Sequence, residues 1–198
     1  MVNKTFTIEF SGVKELEQKF PVAVHAGAQV GIQKSILLLE NAVKTNIAQG
    51  RPGGHGGAVA TGTLLGAVFS EMMGTPVNPY GIVAVSPPAD RYGLVVEEGR
   101  RPGQKMPPPE ALILWVRRKF RDAISVTATV LGKGGQPRRS KKKAAATERG
   151  LAFVIARSIG KKGFPGVHMF RRAFTEHTAD VQKIITEEIQ GAVATIGR

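Results

Sequence analysis

VKELEQKFPVAVHAGAQVGIQKSILLLENAVKTNIA, residues 13 to 48, is the stretch on which the fold turns. Apolar residues return in it at helical intervals: Val13, Leu16, Phe20, Val24 and Gly27, then Ile32, Ile36, Leu39, Val43 and Ile47. That spacing predicts one long helix. Pro21 is expected to kink it or split it in two, because a mid-helix proline removes a hydrogen bond. Leu37, Leu38 and Leu39 make its middle apolar on more than one side, so it should be covered on two faces or by a partner helix.

Working outward, Phe6, Ile8 and Phe10 alternate with Thr5, Thr7 and Glu9, which predicts a half-buried strand before the helix. Gly50 to Gly57 (GRPGGHGG) reads as a loop, and a short apolar segment runs from Leu64 to Phe69. Ile82 to Val85 is a second strand candidate, closed by Pro87-Pro88. Arg91 to Gly99 (RYGLVVEEG) fits either a strand or a single helical turn. Leu112, Trp115, Val116 and Phe120 share a helical face over residues 110–120, and the prolines before them suit a helix start. Val126, Ala128 and Val130 alternate with threonines and predict another strand. Residues 132–143 (GKGGQPRRSKKK) have no apolar side chain and predict a solvated basic arm, extending to about residue 146. A helix is expected to open at Thr147-Glu148, and a last one to run from about Val167 to Ile196.

Charge is the strongest chemical signal. Of the 28 Lys and Arg residues, 19 lie between Arg100 and Arg172, a stretch with only three acids: Glu110, Asp122 and Glu148. The whole net charge of +13 therefore comes from one part of the chain. Such asymmetry points to a polyanionic partner: nucleic acid, an acidic membrane surface or an acidic protein. The densest run is Arg138, Arg139, Lys141, Lys142 and Lys143, with Arg100-Arg101 and Lys161-Lys162 in the same half. No aromatic is interleaved for stacking and no base-reading motif is present, so nucleic-acid binding here would be indifferent to sequence.

Other chemistry is sparse. There is no Cys, which excludes disulfides, thiol catalysis and Cys-based zinc sites. His25, His55, His168 and His177 are scattered, and none forms a metal pair on a helix face. The glycine loop around His55 lacks the Lys-Ser/Thr pair of a phosphate-binding loop. Glu97-Glu98 is the one acidic pair mid-chain and reads as a salt-bridge partner for Arg100-Arg101 or for a neighbouring subunit's arginine. No long apolar run and no signal-peptide pattern are read, so a soluble protein in a cytoplasmic setting, without a membrane span, is expected.

Several segments resemble, in order, the tail-component family of long-tailed bacteriophages: the neck, head–tail joining or tail-completion proteins. Thr61-Gly62-Thr63-Leu64 is similar to the family's TG-x-L element. Tyr92 to Gly99, with Val96 and Glu97, resembles its Y-A-x-x-V-E-x-G element. Pro165 to Phe170 with Ala173 resembles its closing P-x-x-F-x-x-A element. Met106-Pro107-Pro108 through Lys119 looks like an insertion found in one branch.

The resemblance covers roughly residues 13–190. It implies an α+β fold: a small antiparallel sheet packed by a long N-terminal helix and a C-terminal helix, with the basic arm, in one domain over residues 1–198. It implies a structural virion protein with no catalysis and no cofactor. The subunits would form a sixfold or twelvefold ring in the virion neck after assembly in the host cytoplasm. Its partners would be a portal-side connector or head-completion protein, tail terminator or tail-tube proteins, and the genomic duplex crossing the channel. The competing expectation is a non-specific nucleic-acid-binding protein using residues 100–172. A nuclease would need a metal-binding acid cluster that this segment lacks.

Overall fold

Pro21 splits the first helix. In a computed structural model, which describes residues 17–52, 62–131 and 136–196, residues 17–19 are helical and Phe20 leaves helical geometry at φ −136°, ψ 57°. Helix α1 then runs Pro21–Gln49 with the proline at its start, where the missing N–H costs nothing. The strand expected over Thr5–Phe10, the helix start at Val13, most of the Gly50–Gly57 loop, Thr61 and the glycines of the basic arm lie outside the described residues.

The remaining elements are α2 (Thr63–Ala67), β1 (Val68–Gly74), β2 (Pro79–Val85), α3 (Asp90–Glu98), β3 (Gly99–Arg100), α4 (Pro109–Lys119), α5 (Arg121–Ala128), β4 (Thr129–Leu131), β5 (Pro137–Arg139), α6 (Lys141–Lys162), β6 (Phe164–Pro165) and α7 (Met169–Ile196). The strands form three antiparallel pairs, β1–β2, β3–β6 and β4–β5. In the longest pair Val68 faces Val85 and Gly74 faces Pro79. The fold is α+β as expected: a long N-terminal helix and a C-terminal helix pack lengthwise, with the β1–β2 hairpin on α1.

The α1–α7 contact is close enough to exclude side chains. A Cβ on Gly27 would lie 2.6 Å from the Ile189 Cα, and one on Gly31 would lie 2.8 Å from the Ile185 Cα. Val24, Leu39, Val181, Ile185 and Ile189 fill the seam. On the other side of α1, Gly81 of β2 has no room for a Cβ against Ile36. The middle of α1 is thus contacted by both α7 and the hairpin, which bury Leu39 and partly cover Leu38, while Leu37 stays 47% exposed. The expectation of no membrane-length apolar run needs correction: α1 has the length and, at a mean hydropathy of 1.3, the apolarity to cross a bilayer. Its packing against α7 and the hairpin accounts for the buried part of that composition, 39% of the most apolar window, while Val22, Val30 and Leu37 remain exposed.

A separate core lies in the basic half. Val116, Ile124, Ala128, Ala144 and Ala152 pack together, bordered by Leu112, Trp115, Phe120 and Ile155. This lobe consists of α4, α5, the β4–β5 hairpin and α6. Two expectations fail here. Residues 126–128 belong to a helix, because Ile124 and Ala128 meet the core at i,i+4 while Val126 points to solvent at 78% exposure. The hydroxyls of Thr127 and Thr129 donate to carbonyls four residues back, so the threonines are accommodated in the turn. The described part of the basic arm is also ordered secondary structure. Residues 137–139 pair with β4, and Ser140 caps α6 by accepting from the Lys143 N–H at 3.3 Å. The helix therefore opens at Lys141, six residues before Thr147, since Ala144 and Glu148 both face the lobe core.

Candidate nucleic-acid and partner-facing surface

Helix α6 is the spine of the basic surface. Its buried stripe is Ala144, Glu148, Ala152, Ala156 and Gly160, one residue per turn. Apart from Glu148 these residues are small and let the helix lie close to its neighbours; a Cβ on Gly160 would lie 3.1 Å from both the Gln104 carbonyl oxygen and the Met106 Cα. Everything larger and charged is turned outward. Lys141, Lys142, Lys143, Arg149, Arg157, Lys161 and Lys162 are all exposed.

The helix's single acid is taken inward. Glu148 is 8% exposed and accepts from Arg117 of α4, with Nε at 3.2 Å from both carboxylate oxygens and Nη2 at 2.9 Å from one. Hydrogen bonding to Glu148, and then its charge, holds the Arg117 guanidinium above its already high ordinary pKa. The two-pronged contact orients α4 on α6 and leaves no acid on the solvent face of α6.

The sequence-derived cations fall into two groups. Arg101, Lys161 and Lys162 are exposed and adjacent, since the Gly103 N–H donates to the Lys161 carbonyl at 3.3 Å and β3 pairs with β6. Arg138, Lys141, Lys142 and Lys143 gather at the other end of α6, and the backbone of Arg139 is held in β5 beside them. A 22-residue helix separates the groups, about 33 Å at a rise of 1.5 Å per residue. Arg100 does not belong to the surface. Its Nη2 donates to the Lys105 carbonyl and its Nε is buried, so it stitches its own loop. Sequence reasoning missed Arg149 and Arg157. Their spacing of eight residues, two helical turns, is the signal that could have found them.

Glu97 and Glu98 do not face Arg100-Arg101. Glu97 is 8% exposed and reaches the first turn of α7, where its two oxygens accept from the backbone N–H groups of Phe170 at 3.0 Å and Arg171 at 3.1 Å. It is the capping carboxylate of a helix more than seventy residues away in sequence. Glu98 pairs with Arg171 at 3.3 Å. Both acids are therefore engaged within one subunit. Around them the resemblance-bearing residues converge. Leu64 and Ala173 are buried in the core that Val96 and Phe170 border. Gly99, at φ 76°, has no space for a side chain against Phe164–Gly166. Tyr92 is exposed on the outer side of α3, and Gly62 sits in left-handed geometry before α2. Asn46 and Arg172 complete the junction by donating to the Met169 and Gly50 carbonyls.

Two further surface features stand out. The β1–β2 hairpin exposes Met72, Met73, Val77 and Tyr80 around its tip. A groove between α1 and α7 is lined by Asn41, Thr45, Asn46, Gln49, Glu176 and His177. Among the described residues no three His, Asp or Glu side chains group as a metal site. No family model matches this chain, and neither a curated protein nor a solved structure matches it.

Proposed function

We propose that this chain is a structural subunit of a phage neck: a homo-oligomeric ring between the portal-side connector and the tail, with duplex DNA crossing its channel. The observation that carries the reading is the junction at the start of α7. Three sequence elements that resemble the tail-component family, spread over about a hundred residues of chain, pack against one another there: Leu64, then Val96, Glu97 and Gly99, then Phe170 and Ala173. The junction residues act in the fold, so partner contacts fall to the remaining surface: the hairpin tip, the outer side of α1 and the basic lobe. A ring needs a heterologous contact that closes, and a subunit with one strongly basic lobe and a charge-balanced body has unlike faces to offer.

The test is electron microscopy of the purified full chain, paired with an in vitro joining assay using DNA-filled heads and tails. Closed rings with a hole wide enough for duplex, and restored joining on adding the protein, are the expected results. A protein that neither closes into rings nor supports joining would sink the proposal. One observation favours a second reading: the cations are segregated in one lobe. A non-specific nucleic-acid-binding protein predicts tight duplex binding by a monomer or dimer with no role in joining.

A further inference from the structure

We infer that the solvent face of α6 is the surface that holds the phosphate backbone of duplex DNA, with Arg149 and Arg157 at its centre. This deepens the neck reading and rests on it for the origin of the DNA. Seven cations project from this one helix, and its only acid is buried against Arg117. Among the described residues none of the seven has an ion-pair partner. The face is therefore cationic or neutral from end to end. Its 22 residues span about 33 Å, close to the 34–36 Å of one duplex turn.

The spacing and relief suit a rod of phosphates. Lys142, Arg149 and Arg157 recur after seven and eight residues, about two turns each, so they stand along one side of the helix. Ala145, Ala146 and Gly150 lie between them and keep the helix low, so a stiff cylinder can approach. No Asn or Gln on this face is available to read an adenine edge. Contacts to phosphate alone give binding without sequence choice, which a channel passing a whole genome requires. Phe153 and Val154 are exposed at 49% and 63% in the middle of the face. Two apolar side chains with cations on either side make too small a core for a stable protein interface. A lone aromatic is also a poor track for successive stacked bases.

The experiment is fluorescence anisotropy of a labelled short duplex with the full chain across a salt series. Wild type is compared with Arg149→Gln/Arg157→Gln and with Phe153→Ala; all three positions are exposed, so the fold should tolerate them. The slope of log K against log salt should fall by about 0.9 for each cation removed, ~1.8 for the double variant. An unchanged slope overturns the inference. So does tighter binding of poly-glutamate than of duplex that is lost in Phe153→Ala, which assigns the face to an acidic protein. Rings and joining with an unchanged slope would sink this inference and leave the neck reading standing. A lowered slope in a protein that never forms rings would do the reverse.

Discussion

The paired helices and the basic lobe are built on opposite terms. Helices α1 and α7 together carry five cations and five carboxylates, whereas residues 109–162 carry fourteen cations and three carboxylates. The helix pair is joined by Val, Ile and Leu side chains meeting over Gly27 and Gly31, where the backbones approach each other. The buried residues of the lobe's core are three alanines, one valine and one isoleucine; its larger side chains, Trp115 and Phe120 among them, are only partly buried around these, and the Arg117–Glu148 contact ties α4 to α6. Burial of large aliphatic side chains contributes the most per residue, so the helix pair should hold most of the stability. The lobe's unpaired positive charge repels itself and works against folding.

The sharpest way to break this comparison is Gly27→Val. Both backbones would have to separate, and overpacking of this kind costs about 3 kcal/mol or more when neither side can yield. Urea unfolding of the full chain should show a large drop in midpoint. A cost under about 0.5 kcal/mol, within the range of ordinary surface changes, would mean that the α1–α7 seam is loose and that the two regions do not differ as described.

Next in size is Glu97→Ala. It leaves the Phe170 and Arg171 N–H groups without their carboxylate at a mostly buried helix start, and loss of such a cap costs about 2 kcal/mol. Glu97→Gln should recover part of this, because an amide oxygen still accepts. Glu98→Ala, at a solvent-exposed pair with Arg171, should cost far less. Equal effects at the two glutamates in thermal unfolding would refute the capping role.

These two residues also show what the sequence could and could not reveal. The helix periodicities of α1, α4 and α7 are local patterns: α4 and α7 stand within two residues of the expected bounds, and α1 ends one residue past its expected end and begins at Pro21, at the expected break. Pro21 acts locally as well. Glu97 is different: its partner lies more than seventy residues away, so no spacing rule points to it. Alternation over residues 126–130 misled because two of its three apolar residues are too few to outweigh the i,i+4 contact of Ile124 and Ala128. In the candidate site, the clusters at the ends of α6 were legible as charge runs. That Arg100 turns into its own loop, and that Glu148 is removed from the surface by Arg117, depend on tertiary contacts.

A smaller effect tests the seam between α1 and the hairpin. Glu40 accepts from Lys44 and from the Ser70 hydroxyl of β1. The Lys44 hydrogen bond first, then that from Ser70, holds the Glu40 carboxyl below its ordinary value of 4.5. The folded value is the depressed one, so Glu40 adds stability above the unfolded-state value and loses it as pH falls through the folded value. Ser70→Ala should cost about 1 kcal/mol near neutral pH. The wild-type and variant stability curves should converge below the folded value, where Glu40 is protonated in both. A gap that stays constant into acid would mean that the hydroxyl acts by packing rather than through the carboxylate.

The smallest expected effect has the opposite sign and belongs to the lobe. Gly150 lies inside α6 on its exposed side, with nothing within 4 Å of where a Cβ would stand. Glycine in a helix interior is less favourable than alanine by roughly 0.5–1 kcal/mol. Gly150→Ala should therefore raise the lobe's stability by about that amount, since the added methyl meets only solvent. In the helix pair the same kind of change is ruinous at Gly27, so one substitution type separates the two regions. The same substitution also bears on what α6 meets. If Gly150→Ala unfolds at a higher temperature yet weakens duplex binding, the extra methyl is being felt by a ligand against the helix. A gain in stability with unchanged binding keeps that ligand at the long cations and away from the backbone of α6.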